Sequence, residues 1–345
     1  MKIWFDILTP KQVLFFEPMI KKLRKNYRVF CTSRNYREVI QLAKIRNLKV
    51  VVVGKHGGAE RSSKLDESLK RMVYLLKIVK KYSPDLTISF CSPEASRISY
   101  GLGIKHIAFS DSPHAVAVMR LSVPFVQKLL IPWIIPKKEF IKFGIREKDI
   151  IQYKALDAAI TLNRKISAKS KLPLKTKGKK TILIRMEESH AAYLTKNSQT
   201  SIEIIKKIIK EFSDENILVH ARYPKQVKFL KKYFGNKVKI LTSTMDGKML
   251  LENSDVFIGS GGTMTAESAL LGVPTISFDA VPNLIQTYLI KKKLIVRETD
   301  PKKVILAIKR FTRTAKMGNK RKAKKVFSSM EDPYPKLVSA IKSII

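Results

Sequence analysis

Acidic residues are scarce in this chain: 28 Asp and Glu stand against 68 Lys and Arg, leaving a formal net charge of +40 on 345 residues. Such an excess draws a protein toward polyanions, whether nucleic acid, anionic lipid or a phosphorylated substrate, or else coats it with solvated lysine. Aromatic residues interleaved with the basic ones are missing, as is any helix-turn-helix or RNA-binding signature, which counts against nucleic acid. Cysteine is nearly absent too. Cys31 and Cys91 each sit among apolar β-type residues, so reduced, buried thiols are expected rather than a disulfide framework. The five histidines, His56, His106, His114, His190 and His220, lie far apart; no pair has zinc-ligand spacing, and no metal is expected. Long hydrophobic runs are lacking as well. Leu121 to Pro136 holds three prolines and a lysine and falls short of the roughly 20 residues that a membrane-spanning helix needs. Met1-Lys-Ile-Trp-Phe-Asp reads as a buried strand carrying an acid and not as a secretion signal, so a cytoplasmic location is expected.

What the chain does have is rhythm, with 45% hydrophobic content to fill one or two cores. Short β-rich runs at Lys2–Leu8, Tyr27–Ser33, Leu48–Gly54, Leu86–Phe90 and Lys105–Phe109 alternate with helical periods at Val13–Lys25, Tyr36–Arg46, Asp66–Lys81 and Pro93–Leu102. That alternation predicts a parallel sheet with helices on its faces. Leu69, Met72, Val73, Leu76 and Val79 form an apolar stripe expected to face the core, with Arg71 and the lysines in water. Residues 111–165 break the rhythm with a proline-rich apolar segment and end in the strand-like Ala158–Leu162. The basic linker 169–179 has no buried period and marks a domain boundary. Alternation then resumes, with strands at Thr181–Arg185, Asn216–Ala221, Lys237–Leu241, Asp255–Ile258 and Pro274–Phe278. Domains are therefore expected at 1–168 and 178–325, with an apolar helix in 326–345 that packs back on the first. Doubly wound sheets bind ligands beyond the carboxyl ends of their strands, so the site is expected in a cleft between the two. The run Lys309 to Lys325 contains no acid and reads as a solvated helix face, with an anionic membrane as the alternative.

One segment carries chemistry. The strand Asp255–Ile258 runs into Gly259-Ser-Gly-Gly, a helix begins at Thr263, and Gly272-Val-Pro leads to the next strand. Glycines at such a joint let the backbone approach a diphosphate, whose charge the free N–H groups and dipole of the helix favour. Glu267, one turn into the helix, lies within reach of ribose hydroxyls.

The stretch Leu250-Leu-Glu-Asn-Ser-Asp-Val-Phe-Ile-Gly-Ser-Gly-Gly-Thr-Met-Thr-Ala-Glu-Ser-Ala-Leu-Leu-Gly-Val-Pro resembles the nucleotide-sugar motif of GT-B glycosyltransferases, most closely the lipid-linked N-acetylglucosaminyltransferases. It is also similar to the Ser-Gly-Gly motif of the non-hydrolysing UDP-N-acetylglucosamine 2-epimerases. With the opening Trp4-Phe-Asp-Ile-Leu-Thr-Pro-Lys-Gln-Val-Leu-Phe-Phe and the closing Met330-Glu-Asp-Pro, nearly the whole chain resembles the largely archaeal domain-of-unknown-function family 354. The resemblance implies an α/β protein of the GT-B fold, two Rossmann-like doubly wound domains facing across a cleft. It implies a nucleotide-diphosphate sugar, in particular a UDP-sugar, as substrate and partner, with no cofactor. Ser260, Gly261, Gly262 and Thr263 would hold the diphosphate and Glu267 the ribose. Arg185 is the natural phosphate partner, because a guanidinium fork matches phosphate oxygens; Arg222 is a second, and His190 lies in the same loop as Arg185.

Two reactions fit that substrate. Glycosyl transfer needs one base to take the acceptor proton, and a transferase is the first expectation. A 2-epimerase eliminates the nucleotide and adds it back, which takes several acid/base groups. Glu94 follows the fourth strand of the first domain, Asp111 and His114 follow the fifth, and Asp6 lies at the end of the first. Asp111, His114 and Glu94 are the catalytic candidates, with Asp111 orienting His114. The epimerase Glu-Ala-Gly-Leu-Arg run is replaced by Ser110-Asp-Ser-Pro-His-Ala, and the transferase loop histidine after strand one is replaced by Thr9-Pro-Lys-Gln12. Both families are thus only partly matched, and a binding protein that has lost turnover is the third reading. The segment Val116–Ile135, with Arg120 and Lys128, has the composition either of an anionic-membrane contact or of a pair of core helices; the oligomeric state stays open, a dimer included.

Overall fold

The computed structural model describes residues 1–58, 60–164, 178–186, 196–221, 224–241, 246–278, 283–313 and 317–345. Two compact units emerge: Met1–Thr161 together with Glu331–Ile345, and Leu162–Met330. Each is built on a parallel sheet, and together they are the two Rossmann-like units of the GT-B fold.

The sheet of the first unit holds β1 (Lys2–Ile7), β2 (Arg28–Asn35), β3 (Val51–Lys55), β4 (Leu86–Ser89), β5 (Lys105–Phe109), β6 (Lys128–Pro132) and β7 (Ile150–Tyr153), in the order β3-β2-β1-β4-β5-β6-β7. Strands covered on both faces are apolar throughout, and Ile3, Trp4, Phe5 and Ile7 are all fully buried. Phe15 and Phe16, on the helix Pro10–Leu23, meet Phe5, Phe90 and Phe109 through ring contacts centred 5.0–5.6 Å apart. That helix starts where Thr9 caps the Gln12 amide and Pro10 takes the first turn, an arrangement that favours initiation. Gln12 closes the turn by accepting from the Leu8 amide at 2.6 Å. Strand order reverses between β1 and β4, the crevice at which such sheets take ligands.

The sheet of the second unit holds β8 (Thr181–Arg185), β9 (Asn216–His220), β10 (Lys239–Leu241), β11 (Val256–Gly259), β12 (Thr275–Ser277) and β13 (Ile295–Arg297), in the order β10-β9-β8-β11-β12-β13. Its reversal falls between β8 and β11. Gly259 and Arg185 are register partners there, as are Arg185 and His220. The basic helix Met317–Ser328 packs against the helix Thr263–Leu270 with its cations Arg321, Lys322, Lys324 and Lys325 exposed.

Three expectations are corrected. Ala158–Leu162 belongs to a helix, Asp157–Leu162, because an acid before a short apolar run opens a helix as readily as it flanks a strand. Val116–Ile135 is not a pair of helices. It is a short helix, Val116–Arg120, a single tight turn, and β6, whose Leu129, Leu130 and Ile131 are fully buried. The long helix Arg61–Tyr82 buries Arg71, Leu75 and Val79, one residue out of phase with the expected stripe. Leu69, Val73 and Leu76 are exposed there, because Arg71 is drawn inward by a buried carboxylate.

Candidate functional site

At the carboxyl ends of β1, β5 and β7 the first unit assembles a charged cluster around Lys11, in the first turn of the helix Pro10–Leu23. Its Nζ lies 2.7 Å from Asp111 Oδ2 and 2.8 Å from Asp157 Oδ2, and 4.4 Å from the centre of the Phe90 ring. The Tyr153 hydroxyl donates to Asp157 Oδ1 at 2.5 Å, and the Ser112 hydroxyl donates to Asp111 at 2.9 Å. Two carboxylates share one ammonium, so they do not ionise alike. For Asp157, burial and the like charge of Asp111 outweigh Lys11, and the pKa is pushed up to about 6. Burial pulls Asp111 the same way, yet the Lys11 charge and the hydrogen bonds from Lys11, Ser112 and Asp157 carry it below the usual carboxylate range. Burial works against the charge of Lys11, but the two carboxylates raise its pKa overall. A carboxyl that titrates near 6 beside one held below the usual range is an arrangement able to exchange a proton.

Asp6 and Glu94 belong to a second network, one centred on Arg71. The guanidinium meets fully buried Asp6 at 2.6 and 3.1 Å and donates from Nε to the Val53 carbonyl. Thr32 and Ser92 each donate a hydroxyl to Asp6 at 2.7 Å. Burial pushes the Asp6 pKa up, and these partners, Arg71 foremost, bring it below the ordinary value. Glu94 lies 3.6 Å from Arg71 and accepts from Ser68 at 3.0 Å. Asp6 is thus a structural anion locked inside the unit, while Glu94 is half-buried at the network's rim. His114 is exposed, and no hydrogen bond joins its ring to Asp111 among the described residues.

In the second unit β11 ends at Gly259, and Gly261 (φ +86°) and Gly262 (φ +89°) turn the chain into the helix Thr263–Leu270. Those angles are strained for any residue with a Cβ. Space above Gly262 is open, for a Cβ built there would have no atom within 4 Å. The amides of the first helical turn have no carbonyl of their own helix to meet, an arrangement that, with the helix dipole, favours an anion. Ser260 and Thr263 are half-buried at this joint. Arg185 ends β8 beside Gly259 and donates to the carbonyls of His220 and Ala221 at 3.4 and 3.2 Å. Glu267 is buried, 3.5 Å from Arg164, which also binds Asp246 at 2.7 Å. Lys248 donates to the carbonyls of Leu162 and Arg164 and holds that arginine's backbone. His190 and Arg222 lie outside the described residues.

Sequence reasoning missed Lys11, Tyr153, Asp157, Arg164 and Asp246. Asp246, ahead of Gly247–Glu252 and accepting from the Lys248 amide, has the signature of a helix cap. Lys11 had only its place just after the first strand to mark it. Among the described residues no group of three or more His, Cys, Asp or Glu side chains is placed to hold a metal ion, and no helix is long and apolar enough to cross a membrane.

Known proteins share this architecture. The chain superposes on a Listeria monocytogenes structure provisionally named UDP-N-acetylglucosamine 2-epimerase with a TM-score of 0.80 at 14% identity, covering 99% of this chain and 96% of that one. A UDP-GlcNAc 2-epimerase of Methanocaldococcus jannaschii, solved with UDP-GlcNAc and UDP, gives 0.68 at 16% identity over 94% and 98%. At such identities the likeness shows the GT-B fold. Residues 1–344 match the family described as "Protein of unknown function (DUF354)", and the chain belongs to it. The Uncharacterized protein MJ0665 of Methanocaldococcus jannaschii is 28% identical over 312 residues, 88% of this chain and 89% of that protein.

Proposed function

We propose that this protein is a metal-independent nucleotide-sugar epimerase acting on a UDP-sugar, with inversion at C2. The observation that carries the reading is the Lys11–Asp111–Asp157 cluster. Glycosyl transfer asks for one base, whereas epimerisation takes a proton from C2, expels UDP from C1, then returns a proton to the other face of C2 as UDP re-adds. A raised and a lowered carboxyl joined by a lysine supply the donor and acceptor for those two proton movements. Four of the solved structures with this fold are named UDP-N-acetylglucosamine 2-epimerases, which supports the same choice. In this reading the seat at Ser260–Thr263 and Arg185 receives the diphosphate, which departs without leaving the protein. Glu267 accepts from ribose while Arg164 orients it, and Glu94 and His114 take positioning roles beside the cluster. Arg222 and His190 keep their proposed place near the phosphates.

Incubation with UDP-N-acetylglucosamine alone in deuterated water tests this. Inverted product carrying deuterium at C2 is expected without any acceptor. Turnover that appears only when an acceptor sugar or lipid is added would replace the reading with glycosyl transfer, for which Asp157 alone is base enough.

A further inference from the structure

Arg34, the last residue but one of β2, carries a guanidinium without an acceptor. Its Nε is shut off from water and has no partner, although the residue as a whole is half-buried. Among the described residues no hydrogen bond or ion pair holds the rest of its side chain. The two acids whose charge it feels, Glu94 and Asp6, are committed elsewhere. Asp6 takes two hydrogen bonds from Arg71 and one each from Thr32 and Ser92, and Glu94 accepts from Ser68 and Ser92. Burial lowers the pKa of Arg34, and the like charge of Arg71 adds to this against the pull of the two carboxylates. Buried donors without acceptors are costly and rare in native proteins. A guanidinium fork left in that state marks a place for an oxyanion from outside the chain.

The position of Arg34 in the sheet says which anion. β1 and β2 pair as far as Ile7 and Ser33, so Arg34 leaves the sheet one strand spacing, roughly 4.8 Å, from the segment that leads to Lys11. It stands on the β1 side of the reversal between β1 and β4, where such sheets take ligands. Under the proposed function the diphosphate belongs to the joint at Ser260–Thr263 in the second unit, and the sugar lies against the Lys11 cluster. An anion that reaches Arg34 is then one that the sugar itself carries, and a single fork of donors matches the two oxygens of a carboxylate. We infer that Arg34 recognises a carboxylate at C6 of the sugar, which makes the substrate a UDP-sugar of the uronic-acid class. The inference rests on the epimerase reading for the kind of donor. Arg34 is a specificity residue, remote from the proton movements at C2.

Isothermal titration calorimetry on the full chain, comparing UDP-N-acetylglucosamine with its C6-carboxylate counterpart, tests this, while proton NMR follows inversion at C2. The wild type is expected to bind the uronate about 10- to 100-fold more tightly. A chain of net charge +40 attracts any added anion, so Arg34→Leu is expected to leave a residual preference of no more than about threefold. Because Arg34 makes no bond among the described residues, Arg34→Leu is expected to leave the denaturation midpoint unchanged or raised, which separates recognition from a structural role. A wild type without the preference overturns the inference. So does a preference that survives Arg34→Leu, or a lowered midpoint with both affinities reduced alike. Failure of the epimerase reading looks different, since the preference and its dependence on Arg34 then stay while C2 is never inverted.

Discussion

The two units place different chemistry at equivalent points of similar sheets. At the carboxyl ends of its strands the first unit sets titratable groups in buried contact: Lys11 with two carboxylates that follow β5 and β7, and Arg71 with Asp6 and Glu94. Beyond β8 and β11 the second unit offers backbone, two glycines and the start of a helix, and among the described residues it holds Glu267 and Asp246 against Arg164. A parallel sheet with one reversal supplies the crevice in both. What occupies it differs, because proton transfer needs side chains with shifted pKa values while a diphosphate needs amides and room. Under the proposed function the lesson is a division of labour, in which the second unit would bind by shape and dipole and the first would act by charge.

The largest test of that division is Asp157→Asn, expected to lower epimerase turnover by about 10²- to 10⁴-fold while leaving UDP affinity within twofold. A parallel loss of UDP affinity, measured by calorimetry, would abolish the distinction. Arg71→Met separates structure from chemistry within the first unit. It strands the buried Asp6 and is expected to cost about 3–5 kcal/mol of stability in denaturant titration, and an unchanged midpoint would mean that Asp6 has another partner. The pH dependence comes next. Because folding raises the pKa of Asp157 from 3.8 to about 6, the folded protein keeps a proton that the unfolded chain releases in that window. The stability contributed by Asp157 is therefore complete below the lower value and lost as pH rises through the upper one. Wild type should lose on the order of 2 kcal/mol relative to Asp157→Asn between pH 4 and 6.5, and parallel stability curves would refute the assignment. In the second unit, Gly262→Ala imposes a strain of about 1–3 kcal/mol at positive φ, expected to appear as a roughly tenfold or greater loss of UDP affinity with the pH behaviour intact. The smallest effect is Lys22→Ala, which removes an exposed ion pair to Asp332 and should change stability by less than about 1 kcal/mol.

Much of the alternation was legible. β5 and β8 have the boundaries that the residue pattern predicts, since each is a short β-rich run between breakers. β6, β7 and β13 escaped notice. β6 ends in a proline, as an edge strand or a loop would, and β13 is three residues long, too short for any period to show. The phase of the helix Arg61–Tyr82 was misread because a rule of hydrophobic periodicity cannot foresee that an arginine will be the buried residue.

The glycine joint could be found from sequence because strand, turn and helix are consecutive along the chain, and the requirement for positive φ is local. Lys11 and Asp157 stand 146 residues apart and Arg71 and Asp6 65 apart, so only the order of the strands could bring them together. The sequence by itself determined where the backbone can receive an anion. Tertiary structure decided which carboxyl keeps its proton, because burial and the distance to a neighbouring charge set a pKa, and neither exists until the chain has folded.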